Sequence, residues 1–148
     1  MENQYILKHV CPNDLRKGSH IVFENRPYKI LDLTRSKPGK HGHAKTTIRM
    51  EDLFTGKKKD TILQSNSNVT EPIVNKVTYD VLSLTDGFVS VYDPKTQQPL
   101  EIKIRDKDLE EQLKTDLETS DQTFNVIVLQ SMGENLVIDY KISNNKDY

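Results

Sequence analysis

Tryptophan is absent from this chain of 148 residues, and cysteine occurs once, as Cys11. A single cysteine excludes an internal disulfide and suits a reducing compartment. Long apolar runs are also missing: no stretch approaches the roughly 18 consecutive apolar residues that a membrane-crossing helix needs. The segment Met1 to Val10 lacks a basic start followed by an apolar run, so a secretory signal is not expected. These absences together read as a cytoplasmic protein. Repeats and low-complexity tracts are lacking too, which sets aside solenoids and arrays. With 34% hydrophobic and 29% charged residues, the chain suits one ordinary domain or two small ones with much surface.

What is present is unevenly distributed. Residues 1–72 hold thirteen Lys/Arg against eight Asp/Glu, a balance of +5, whereas residues 73–148 hold eight against fourteen, a balance of −6. The overall charge of −1 therefore conceals one half suited to an anionic partner and one that reads as an acidic solvated surface.

The punctuation is that of a β protein. Ile21 to Phe23 and Tyr28 to Leu33 read as strands around a turn at Glu24-Asn25-Arg26-Pro27. Thr46 to Met50 and Thr61 to Leu63 read as two more, with Phe54-Thr55-Gly56-Lys57 turning between them. Gln64 to Asn68 has no apolar residue, and Glu71-Pro72 follows it; the expected domains are thus 1–72 and 73–148. Beyond that point Val77 to Leu84 alternates, Asp86-Gly87 marks a tight turn, and Phe88 to Tyr92 is a strand whose two aromatics are expected in the core rather than as stacking platforms. Leu100, Ile102 and Ile104 alternate with charged residues. The period then changes: Leu109, Leu113 and Leu117 form one stripe of a helix, with Asp108 and Glu111 as its expected capping box. Strands at Phe124 to Gln130 and Leu136 to Ile142 finish the pattern. Several small β folds suit it, an OB-type barrel among them.

The chemistry gathers in the connection 35–45, which is longer than ordinary hairpin loops of two to five residues. Thr34 to Met50 contains Arg35, Lys37, Lys40, Lys45 and Arg49, two histidines and no acid. Gly39 and Gly42 flank Lys40 and remove side-chain bulk, so its amine can enter a narrow site. Such a cationic finger suits an RNA backbone. A phosphate-cradling loop is excluded, because Ala44 precedes Lys45 where glycine is required and no strand-to-helix frame surrounds it. His41 and His43 lack a third ligand and sit among lysines that repel a cation, so no metal is expected. An enzyme using Lys40 as a nucleophile needs a positioned base, and none is evident.

The run Ser36-Lys37-Pro38-Gly39-Lys40-His41-Gly42-His43-Ala44-Lys45 resembles the modification loop of the eukaryotic translation factor 5A family, which carries the amino acid hypusine. The likeness extends to Cys11 with Leu15-Arg16-Lys17-Gly18, to Pro27-Tyr28-Lys29-Ile30 before the loop, and to Asp52-Leu53-Phe54-Thr55-Gly56-Lys57-Lys58 after it. Past Pro72 it rests on strand order, Asp86-Gly87 and the helix position. One position departs: Pro38 stands where the family commonly has threonine. Proline fixes φ and removes a backbone donor, so it stiffens the approach to Lys40.

The resemblance implies a mainly β protein, an N-terminal SH3-like β barrel followed by an OB-fold barrel with one helix. It implies that Lys40 receives an aminobutyl group from spermidine through deoxyhypusine synthase, and that deoxyhypusine hydroxylase completes hypusine. It further implies a non-enzymatic factor, without cofactor, that binds the ribosome, stabilises peptidyl-tRNA, relieves stalls at sequences such as polyproline and assists termination. The remaining loop residues, together with Arg49, would then contact RNA or the ribosome. The alternative is an OB-fold RNA-binding protein acting without lysine modification. No binding residue of the second domain is named by sequence.

Overall fold

The computed structural model describes residues 4–36 and 44–143. The chain divides into two compact units, Met1–Val74 with Ser131–Gly133, and Asn75–Gln130 with Glu134–Tyr148.

In the first unit, strands β1 (Ile6–Val10) and β6 (Val69–Pro72) pair as a ribbon. A second sheet has the order β2-β3-β4-β5, from β2 (His20–Phe23), β3 (Arg26–Ser36), β4 (Lys45–Asp52) and β5 (Lys58–Gln64). Strand β4 shows why these residues make a half-buried strand. Thr46, Ile48, Met50 and Asp52 point inward and are buried, while Lys45, Thr47 and Arg49 alternate outward. Of the inward set, Ile48 and Met50 join Leu15, Ile21, Tyr28, Ile30 and Val69 in one core.

Three expectations for this half change. The β2–β3 turn is tighter than Glu24 to Pro27: Phe23 pairs with Arg26, so only Glu24 and Asn25 turn, both at positive φ (50° and 64°). That is the twist two-residue hairpins prefer, although a glutamate is an unusual occupant of its first position. Pro27 consequently lies within β3, opposite Val22. Strands β1 and β6 were not expected at all. Each is short, and their periodicity is weak because Val69 and Pro72 are the only buried residues of the pair. Their pairing, from opposite ends of the unit, becomes visible only in space.

The second unit is a closed barrel in the order β10-β11-β9-β8-β7. Its strands are β7 (Val74–Thr85), β8 (Phe88–Asp93), β9 (Gln98–Ile104), β10 (Phe124–Ser131) and β11 (Glu134–Ile142), with helix α1 (Lys107–Thr119) between β9 and β10. Strands β7, β8 and β9 meander antiparallel, and β11 returns parallel to β9. This connectivity, a helix after the third strand and the fifth strand beside the third, is that of an OB barrel. Asp86-Gly87 turns between β7 and β8, with Gly87 at φ 77°.

Leu113 is fully buried, and Leu109 and Leu117 pack half-buried against the same core, which bears out the helical stripe. The cap differs from expectation. Asp106, not Asp108, is the N-cap, and its carboxylate accepts from the amides of Asp108 and Leu109. Glu110 in the first turn does not complete a box at the cap; it accepts from the amide of Gly87, in the β7–β8 turn, at 2.6 Å. The core expectation for Phe88 and Tyr92 is overturned as well: they are 44% and 38% exposed. Val89 and Val91 take the inward positions of β8, so the alternate residues Phe88, Ser90 and Tyr92 face outward.

Candidate functional site

The candidate loop joins the two longest-paired strands of the first unit. The β3–β4 ladder runs from Tyr28↔Asp52 to Ser36↔Lys45, with one irregularity between Ile30 and Asp32. Pairing thus persists beyond Thr34, and the connection is shorter than 35–45, because Arg35, Ser36 and Lys45 are strand residues. Lys37, Pro38, Gly39, Lys40, His41, Gly42 and His43 lie outside the described residues. What the structure describes is the pair of stems. Ser36 and Lys45 are exposed cross-strand partners, and the half-buried Ala44 accepts the Ser65 amide at 2.9 Å.

The outgoing stem is clamped. Arg35 Nη2 donates to the carbonyl oxygens of Leu15 (2.6 Å), Asn13 (2.9 Å) and Pro12 (3.3 Å). These carbonyls belong to the 3-10 turn Pro12–Asp14 and its C-cap Leu15. One guanidinium therefore ties the strand entering the loop to a turn early in the chain. By composition Arg35 belonged to the cationic finger; in space its charge is spent on backbone carbonyls. Arg35→Ala strips the part-buried Pro12 and Leu15 carbonyls of that donor and should cost about 1–3 kcal/mol. Urea unfolding measures that loss. Amide exchange at Asp14 and Leu15, whose amides bond to Cys11 and Pro12, should accelerate with it.

Arg49 also differs from its sequence portrait. Its cross-strand partners on the outward face are Asp32 on β3 and Asp60 on β5, and its Nε lies 3.9 Å from the Asp60 carboxylate. The linear segment contains no acid, but the sheet brings two beside this cation. Lys45 faces Ser36 and Gln64 and has no acidic cross-strand neighbour.

At the other end of the same ladder, Asp52 organises the turn that follows β4. It is 3% exposed. One oxygen accepts from Arg26 Nε at 2.6 Å, and the other from Arg26 Nη2 (3.2 Å) and the amides of Phe54 (2.9 Å) and Thr55 (3.1 Å). Burial alone would raise this carboxyl. The Arg26 hydrogen bond, the two amides and the Arg26 charge outweigh it and hold the group at about 2, below the ordinary 3.8. Gly56 turns at φ 75°, and its amide bonds to the Asp52 carbonyl. Sequence reasoning read the turn correctly and missed its hub. The available signal was an aspartate two and three residues ahead of the turn amides, the side-chain-to-backbone pattern of an Asx turn.

Among the described residues no three His, Cys, Asp or Glu side chains gather to hold a metal, and no helix is long and apolar enough to cross a membrane.

Residues 9–67 match the family described as translation initiation factor 5A-like, N-terminal, and residues 73–141 match eukaryotic elongation factor 5A hypusine, DNA-binding OB fold. The chain belongs to the translation factor 5A family. Among its relatives, eukaryotic translation initiation factor 5A-1 of Caenorhabditis elegans is 37% identical over 130 residues, covering 87% of this chain and 81% of that protein. Its namesake from Saccharomyces cerevisiae is 35% identical over 127 residues, covering 86% and 80%. Among solved structures, the translation initiation factor eif-5a family protein from Naegleria fowleri superposes with a TM-score of 0.77 at 30% identity, covering 93% of this chain and 99% of that one. The Methanococcus jannaschii factor gives 0.67 at 27% identity, covering 92% of each. The 5A family consists of translation factors, not enzymes.

Proposed function

We propose that this 5A-family chain acts on the ribosome through Lys40, converted to hypusine, and that it supports peptidyl-tRNA at stalled sequences such as polyproline and during termination. The observation that carries this reading is the sequence Ser36 to Lys45 joined to paired stems, the outgoing one clamped by Arg35. A lysine is one hydrated charge on a four-carbon stem. An added aminobutyl arm lengthens the reach and supplies a second amine, which can bridge phosphate and sugar oxygens in an RNA cleft. Lys37 and Lys45 contribute general attraction to phosphates. The factor makes and breaks no bond in its client; it orders a substrate for the ribosome's own chemistry.

Lys40 is in this reading first a substrate, of deoxyhypusine synthase and then of deoxyhypusine hydroxylase, and only afterwards an effector. Proline at 38 fixes φ just ahead of it and glycine at 39 leaves the next position conformationally permissive, a pairing that favours pre-organised presentation. Peptide mapping of protein purified from its native cells tests the proposal. The Lys40 peptide should be heavier by about 87 daltons, the C4H9NO of the hydroxylated aminobutyl arm. An unmodified Lys40 peptide from protein that still binds ribosomes fully would replace this reading with that of an OB-fold RNA-binding protein.

A further inference from the structure

The second unit contains a groove that the loop chemistry does not use. It has a volume of about 410 Å³ and lies between the end of β7 and helix α1. Leu82, Leu84 and Leu117 supply its apolar surface. Leu82 is 53% exposed, a large aliphatic side chain displayed where the β7–β8 pairing is irregular between Val81 and Ser83. Around this surface stand Asp86, Glu111 and Glu118, exposed carboxylates that no ion pair engages among the described residues. A fourth, Glu110, is committed to the Gly87 amide and Lys107, and Lys114 is the single cation of the lining.

Size, floor and rim select the occupant. The volume takes a few side chains rather than a folded domain, the leucines favour an aliphatic anchor, and three unpaired carboxylates favour cations beside it. An RNA backbone would set phosphates against those carboxylates. We infer that this groove docks a lysine- or arginine-rich protein segment carrying an aliphatic anchor residue. The inference is independent of Lys40, since every residue involved lies in the second unit. It also gives a use to the acidic excess of residues 73–148, which by sequence alone was mere solvated surface.

The probe is a short fluorescein-labelled peptide of lysines with leucines one helical turn apart, titrated with the full chain and followed by anisotropy. Leu82→Ser, and Glu111→Lys combined with Glu118→Lys, change exposed side chains only and should each weaken binding roughly tenfold or more. A peptide with serines in place of the leucines should lose affinity to a similar degree, and one with aspartates in place of the lysines should not bind. Undiminished binding by both variants, equal binding of the serine peptide, or equal binding of the aspartate peptide would overturn the inference. Amide chemical shifts of the unaltered protein give a reading that does not depend on any variant folding. Perturbations centred on Leu82, Leu117 and Glu118 support the groove, and perturbations confined elsewhere reject it.

Discussion

Replacing Lys40 by arginine should reduce relief of polyproline stalling to the level seen without the factor, while the folded protein is unchanged. The substitution keeps a positive charge at the same position and a side chain of similar length. What it removes is a nucleophile. Aminobutyl transfer forms a new carbon–nitrogen bond with the lysine amine, which must first lose a proton. A guanidinium, with a pKa above about 12 and delocalised lone pairs, does not do so. Charge-mediated attraction to RNA survives; the extended arm does not. A contribution that consists of positioning is sensitive to such a loss, and a reporter containing consecutive prolines should translate on the order of tenfold to a hundredfold less efficiently. The unfolding free energy should change by no more than about 0.5 kcal/mol. Reporter translation at the wild-type rate with Lys40→Arg as the sole copy would sink the hypusine mechanism and leave a simple basic finger in its place.

The parts of this protein legible in the sequence are those whose signals are local. Strand β4 announces itself because Ile48 and Met50 alternate with exposed polar residues, and α1 because Leu109, Leu113 and Leu117 fall on one stripe. The order of strands around one helix was legible for the same reason. Features set by long-range pairing were not. Strands β1 and β6 stabilise each other across the length of the unit, and neither has a strong pattern alone. Phe88 and Tyr92 show a subtler failure: residue type suggested core, but alternation with Val89 and Val91 determined the face, and Ser90 between them was the clue. At the candidate site, the motif singles out Lys40 by resemblance alone, at a position outside the described residues. The roles of Arg35 and Arg49 depended on which backbone carbonyls and which carboxylates the fold brings to them, and a linear count of charges cannot supply that.

The same distinction between motif and role makes Asp52 a polar position where a single change should cost much stability. Asp52→Ala removes the acceptor for Arg26 and for the amides of Phe54 and Thr55 at once, inside a site 3% exposed. Loss of one partner from a buried charge pair costs about 3–5 kcal/mol. Arg26, whose side chain is 36% exposed, regains part of its hydration, so about 3 kcal/mol is expected. In a unit of this size that lowers the midpoint of its unfolding transition by on the order of 10 °C, measurable by calorimetry. Acid titration then separates charge from shape. Because the folded carboxyl titrates at about 2 rather than 3.8, its contribution is complete above the unfolded value. As pH falls between those values the unfolded chain takes up a proton that the folded one refuses, so stability declines and the contribution, about 2 kcal/mol, is gone below the folded value. Asp52→Asn keeps an oxygen for the two amides but carries no charge. It should fall between the wild type and the alanine variant at neutral pH, and its stability should no longer decline through that acid window on account of this site. If the asparagine variant instead retained the full acid-limb slope, the ion pair with Arg26 would not be what stabilises the turn after β4.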